Sequence, residues 1–215
     1  MTTTPTRDGP AERVPRLALD EARRRAEAAG MDPAMADIHL FQVLLHAPHA
    51  GAAIDSTKDT LLIGTTLDWR LRELAIMRIA WLLGAEYVWN HHTRSLVQHE
   101  LALCPDDVLE VRDWEHSTTL GQVERAVLGL TDGMVLNRSG AASADAVQAV
   151  VDVLPLEQVI ELTVTIALYR GITGVIQTLA IPMETSYGRW EPDGVAPPWI
   201  QSDGSDTHAG TAGPG

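Results

Sequence analysis

The chain has 215 residues, 45% of them apolar, and its 16 basic and 29 acidic side chains leave a formal net charge of −13. That length suits one domain with a sizeable core, and the acidic balance argues against a nucleic-acid backbone or an anionic membrane surface as partner. A single cysteine, Cys104, excludes an internal disulfide and any dithiol chemistry within one chain, which fits a reducing, cytoplasmic setting. No uninterrupted apolar run approaches the roughly 18 residues of a bilayer span. The opening MTTTPTRDGPAERVPR lacks the apolar centre of a signal peptide.

In chain order, residues 1–16 carry Pro5, Pro10 and Pro15 among polar neighbours and read as a mobile arm. Residues 17–191 read as a single helical domain. Its first helix, Leu17 to Ala29, stops at Gly30, and Asp37 to His46 forms a second with Ile38, Phe41, Val43, Leu44 and Leu45 on one side. Gly51 to Thr66 is less periodic and reads as loop plus a short turn. Asp68 caps the next helix, whose Leu71, Leu74, Ile76, Ile79, Leu82 and Leu83 are too apolar for a surface element, so burial on several sides is expected. Gly84 ends it, and another helix runs from near Glu86 to about Leu101. Amphipathic helices follow over the Thr119–Asn137 stretch and from Ser143 to Val153, and Pro155 opens a last long one ending near Pro182. Two-residue alternation never persists, so the fold is expected to be all-α. Residues 192–215, rich in Gly, Pro, Ser and Asp, read as a disordered tail with Trp199 as its one anchor.

The chemistry concentrates in ELAIMRIAWLLGAEYVWNHH, residues 73–92. Glu73 is a carboxylate in an otherwise apolar helix, so it faces solvent, pairs with Arg70, Arg72 or Arg78, or sits partly desolvated in a pocket as a proton-transfer group. His91 and His92 are imidazoles suited to acid–base work near neutral pH. They point about 100° apart on a helix, so one is expected to be active and the other structural. Glu86, Tyr87, Trp89, Tyr169 and Arg170 are candidate substrate contacts, Arg170 through a bidentate grip on a carboxylate. Against these stand plainer roles: core packing for Trp81 and Trp89, a satisfied hydroxyl for Tyr169, and a salt bridge for Glu73. A metal site is not expected. Glu86, His91, His92, His99 and Glu100 lack the HExxH spacing that sets two imidazoles one turn apart. Cys104 has no adjacent base to activate it and reads as an inert buried thiol.

The same segment resembles the carboxymuconolactone decarboxylase and alkylhydroperoxidase D-like family. Redox members of that family carry a Glu, a Cys-x-x-Cys beginning twelve residues later, and a His four after the second Cys. On this chain those places fall on Glu73, Ala85, Val88 and His92, so acid and histidine are kept and both thiols are replaced. The resemblance, which covers about Leu17 to Trp190, places the chain in a thiol-free branch. It implies a helical bundle assembled as a dimer, trimer or hexamer, with a small-molecule substrate and no cofactor. The activity implied is a cofactor-independent acid–base lyase or isomerase, decarboxylase-like, acting on a small oxygenated substrate such as a lactone or carboxylate. Glu73, His92 and His91 would carry it. The competing reading is a non-catalytic oligomeric binding protein that kept the fold and lost the thiol peroxidase function.

Overall fold

Asp68 accepts a hydrogen bond from the Arg70 amide, and this cap starts the helix around which the rest of the chain is arranged. In the computed structural model, which describes residues 12–99 and 103–186 (side chains of 94–99 and 105 excepted), that helix is the fourth. The helices are α1 (Leu19–Ala28), α2 (His39–Leu44), α3 (Pro48–Ile63), α4 (Trp69–Leu82) and α5 (Glu86–His99), then α6 (Pro105–Glu110), α7 (Gln122–Leu136), α8 (Ala144–Val151) and α9 (Leu156–Leu179). Short 3₁₀ turns lie at Pro33–Asp37 and Trp114–His116, and no strand occurs among the described residues.

Every residue of α4 from Leu71 to Ala80 is buried, because α5, α7 and α9 all pack against it. The two buried arginines there need partners. Arg78 lies in a fork with Asp132 of α7 at 2.6 and 2.7 Å and also donates to the carbonyls of Val111 and Arg112. Half-buried Arg70 instead reaches Asp107 and Glu124. At the other end Gly84, at φ 61°, closes α4: its amide donates to Trp81 O and that of Ala85 to Ala80 O. This left-handed stop satisfies two carbonyls that would otherwise be orphaned, and turns the chain straight into α5.

Helix α9 lies beside α4 and runs parallel to it. Glu161 near its start accepts from the amides of Thr66 and Leu67, just before α4, while Gln177 near its end donates to Leu83 O at the α4 terminus. Glu161 and Arg170 break its apolar runs, yet α9 is long and apolar enough by composition to cross a membrane, with a mean hydropathy of 1.5 over its best 18 residues. Here Leu162, Thr165, Ile166, Tyr169 and Ile176 are buried. A smaller cluster of Ala22, Ala26, Met31, Ala36, Phe41 and Leu45 joins α1 and α2.

The structure departs from the sequence reading at three places. Gly51 to Thr66 is mostly helix, since α3 spans Pro48–Ile63 with proline in its first turn, where no amide partner is lost. It buries only Gly51, Asp55 and Leu61, so it leaves almost no apolar period to read. The helix expected over Asp37 to His46 shrinks to α2, preceded by a 3₁₀ turn. Cys104 is exposed, not buried: it caps α6 at the surface, its amide donating to Asp107. The arm up to residue 11, the tail from 192, Trp199 and the His99 side chain lie outside the described residues.

Candidate active site

Gly84 folds α5 back so that His92 meets Glu73. His92 Nδ1 lies 2.7 Å from Glu73 Oε2, and since a carboxylate can only accept, Nδ1 carries the proton. Among the described residues Nε2 then has no hydrogen-bond partner and is the basic nitrogen. Glu73 is 8% exposed. Burial pushes its carboxyl up, but the charge and hydrogen bond of His92 and those of Arg72 outweigh that and hold it below the usual carboxylate range. Arg72, not Arg70 or Arg78, is the arginine at Glu73, with Nε 3.3 Å from Oε1. Its Nη1 binds the carbonyls of Leu61 and Leu62 at the end of α3, and its guanidinium stacks on Trp69. The carboxylate is therefore fixed from both sides. Tyr169 of α9 completes this cluster, its ring edge-on to His92 with centroids 5.2 Å apart.

His91 faces a different acid. Its Nε2 is 2.7 Å from Oε2 of Glu184, in the segment after α9. The other oxygen of Glu184 accepts from the Tyr87 hydroxyl and the His39 amide, both at 2.7 Å. The Tyr87 ring stacks on His91 at 4.4 Å, as residues one helical turn apart can. Burial raises the Glu184 carboxyl, but the His91 hydrogen bond and charge, with the His39 and Tyr87 donors, bring it down to about 2. The two adjacent histidines thus serve two separate Glu–His pairs on different sides of α5.

Of the candidates named from sequence, Glu73, His92 and Tyr169 come together, and His91 and Tyr87 gather around Glu184. The others lie elsewhere. Trp89 packs its indole on Trp81 in the core, centroids 5.7 Å apart. Arg170 points to the α7–α8 connection, reaching Asn137 O at 3.5 Å and crowding Gly140. Glu86 is half-buried in the first turn of α5, about 9 Å along the axis from His92. Glu184 was missed from sequence, because nothing local marks an acid 93 residues from its histidine. Arg72 was one of the three arginines named for Glu73, although adjacent residues on a helix do not ordinarily face each other. No group of three or more His, Cys, Asp or Glu side chains suited to a metal ion occurs among the described residues.

Residues 48–133 match the model of the carboxymuconolactone decarboxylase family. Among solved structures, the chain resembles the alkylhydroperoxidase AhpD core of an uncharacterized peroxidase-related protein from Ralstonia eutropha JMP134. The two are 18% identical with a TM-score of 0.64, covering 82% of this chain and 94% of that one. A peroxidase-related protein from Silicibacter sp. TM1040 is 13% identical with a TM-score of 0.66, covering 86% and 97%. The debrominase Bmp8, as a cysteine-to-alanine variant in complex with 2,3,4-tribromopyrrole, is 14% identical with a TM-score of 0.65, covering 83% and 95%. At these identities the likeness is one of fold. No curated protein sequence matches the chain.

Proposed function

We propose that the protein, whose residues 48–133 match the model of the carboxymuconolactone decarboxylase family, is a cofactor-independent acid–base lyase or isomerase whose proton-transfer unit is Glu73 and His92. The observation that carries this reading is the 2.7 Å contact between His92 Nδ1 and Glu73 Oε2, which leaves the opposite ring nitrogen without a partner among the described residues. A carboxylate that holds Nδ1–H fixes the tautomer and orientation of the ring and stabilises the imidazolium formed when Nε2 takes a proton. Ala85 and Val88 stand where the redox relatives have thiols, so the chemistry left to this pair is proton transfer.

Decarboxylation of a carboxylated unsaturated lactone, the reaction of the family's lyase branch, fits such a unit. The bond from carbon to carboxylate breaks, carbon dioxide leaves, and its electron pair passes into the conjugated lactone carbonyl. Protonated His92 then delivers a proton to carbon. The same pair can move a proton between two carbons of an activated carbonyl compound, which is isomerisation. The test is to incubate the protein in deuterated water with a panel of carboxylated lactones and β-keto acids, following carbon dioxide release and deuterium uptake. Turnover lost in His92→Asn and Glu73→Gln, at unchanged melting temperature, supports the reading; turnover retained in both removes it.

We also propose that the protein acts as a homo-oligomer joined through α9. Leu156, Ile160 and Val164, one turn apart, are 68%, 63% and 43% exposed, and a stripe of this kind on a solvent face is a candidate interface. Light scattering on Ile160→Arg, expected to show a smaller species than wild type, tests it; a wild-type monomer of 23.3 kDa rules it out.

A further inference from the structure

The inner face of α9 carries two hydroxyls that the fold does not use. Tyr169 is 4% exposed, and its hydroxyl makes no hydrogen bond among the described residues, although its oxygen is not fully shut off from the surface. Buried tyrosines ordinarily find a partner, and Tyr87 has both Glu184 and the Leu40 amide. One turn further along the same face, Thr173 is fully buried and its Oγ1 is unpartnered. Its neighbours behave differently: Thr93, Thr131, Thr163 and Thr165 each bond back to the carbonyl four residues before. Leaving a buried hydroxyl unpaired costs free energy, so Thr173 calls for an acceptor on the stripe it shares with the unbonded Tyr169 hydroxyl.

We propose that Tyr169 is the hydrogen-bond donor that receives the substrate's carbonyl oxygen and stabilises the negative charge built there, with Thr173 as a second donor behind it. The proposal rests on the Glu73–His92 reading and adds to it the residue that handles the oxygen. Its geometry is the edge-on contact of the Tyr169 ring with His92, which sets the phenol ring beside the imidazole. Burial, and then the nearby Glu73 carboxylate, push the phenol well above its ordinary range, so it stays protonated and can only donate or accept as a neutral group. The substrate class follows. It carries a carbonyl or lactone oxygen next to an acidic C–H or a carboxylate, so that breaking that bond sends the electron pair to oxygen. In the proton-abstraction form, the C–H bond breaks, its proton goes to His92 Nε2, and its electrons form an enolate whose oxygen Tyr169 holds. No oxidant or reductant enters.

The probe is para-nitrophenol, whose phenolate is a coloured oxyanion, titrated against the full chain at a pH below the free phenol's own pKa. The wild type is expected to bind it saturably as phenolate, its proton passing to His92, with growth of the phenolate absorbance. Tyr169→Phe, which removes only the hydroxyl, should weaken this binding about tenfold or more. Thr173→Val should weaken it by a smaller factor, and both variants should bind uncharged nitrobenzene as the wild type does. Absence of saturable phenolate binding by the wild type overturns the proposal. So does equal phenolate affinity in wild type and Tyr169→Phe. If Tyr169→Phe is without effect while His92→Asn still abolishes substrate turnover, the Tyr169 assignment falls and the dyad stands. If His92→Asn and Glu73→Gln keep full turnover, the dyad itself falls.

Discussion

Glu184→Gln is the substitution that separates charge from shape most cleanly. Glutamine keeps the oxygen that accepts from the Tyr87 hydroxyl and the His39 amide, and presents an amide to His91, so packing is conserved and the carboxylate charge is lost. The carboxyl is lowered from 4.5 to about 2 in the folded protein. At about 1.4 kcal/mol per unit that sets a ceiling of about 3.4 kcal/mol. Water close to this segment screens the interaction, so about 1–2 kcal/mol is the expected effect. The sign is that of a depressed acid. The stabilisation is complete above pH 4.5 and is lost as the pH falls towards 2. Thermal unfolding at pH 7 should therefore show Glu184→Gln melting about 2–8 °C below wild type. The two curves should converge as the pH approaches 2. A gap that stays constant across that range would refute the reasoning, because a loss independent of carboxylate ionisation is one of packing.

Three further outcomes follow from the same contacts. Asp132→Ala leaves the Arg78 guanidinium buried without its counter-charge, and urea denaturation should register a loss of about 3–5 kcal/mol. Ala180, at φ 51°, closes α9 in the left-handed region that favours glycine, so Ala180→Gly should raise stability by about 0.5–1 kcal/mol in the same assay. With alanine and valine in the thiol places and Cys104 alone at the surface, a peroxidase assay with a dithiol donor should show no turnover above blank. Robust turnover unaffected by Cys104→Ser would overturn the thiol argument.

What could be read from the chain and what could not has a physical pattern. The α4–Gly84–α5 unit was legible because it rests on local rules: a capping Asp68, a helix apolar on every side, and a glycine where the backbone turns left-handed. The meeting of Glu73 and His92 follows from that turn, although only the three-dimensional return of α5 brings the side chains to 2.7 Å. Helix α3 was not legible, since small and polar residues form it with little burial and so leave no hydrophobic period. Glu184 lay beyond reach for another reason. Its partners His39, Tyr87 and His91 come from two other helices, and no spacing rule links them. That the two histidines would face different sides was expected from their angle on the helix. Which acid each would face depended on where the chain after α9 returns.

The most direct test of the account is a double-mutant cycle on Glu73 and His92, read as the rate of carbon dioxide release or deuterium incorporation with the carboxylated lactone or β-keto acid that the wild type turns over. Because the two side chains act as one unit, each of Glu73→Gln and His92→Asn should lower the rate by about 10²–10⁴, and the double variant should be little slower than the worse single one. Losses that multiply across the cycle would show two independent groups, and single variants that keep wild-type rates would contradict the account outright.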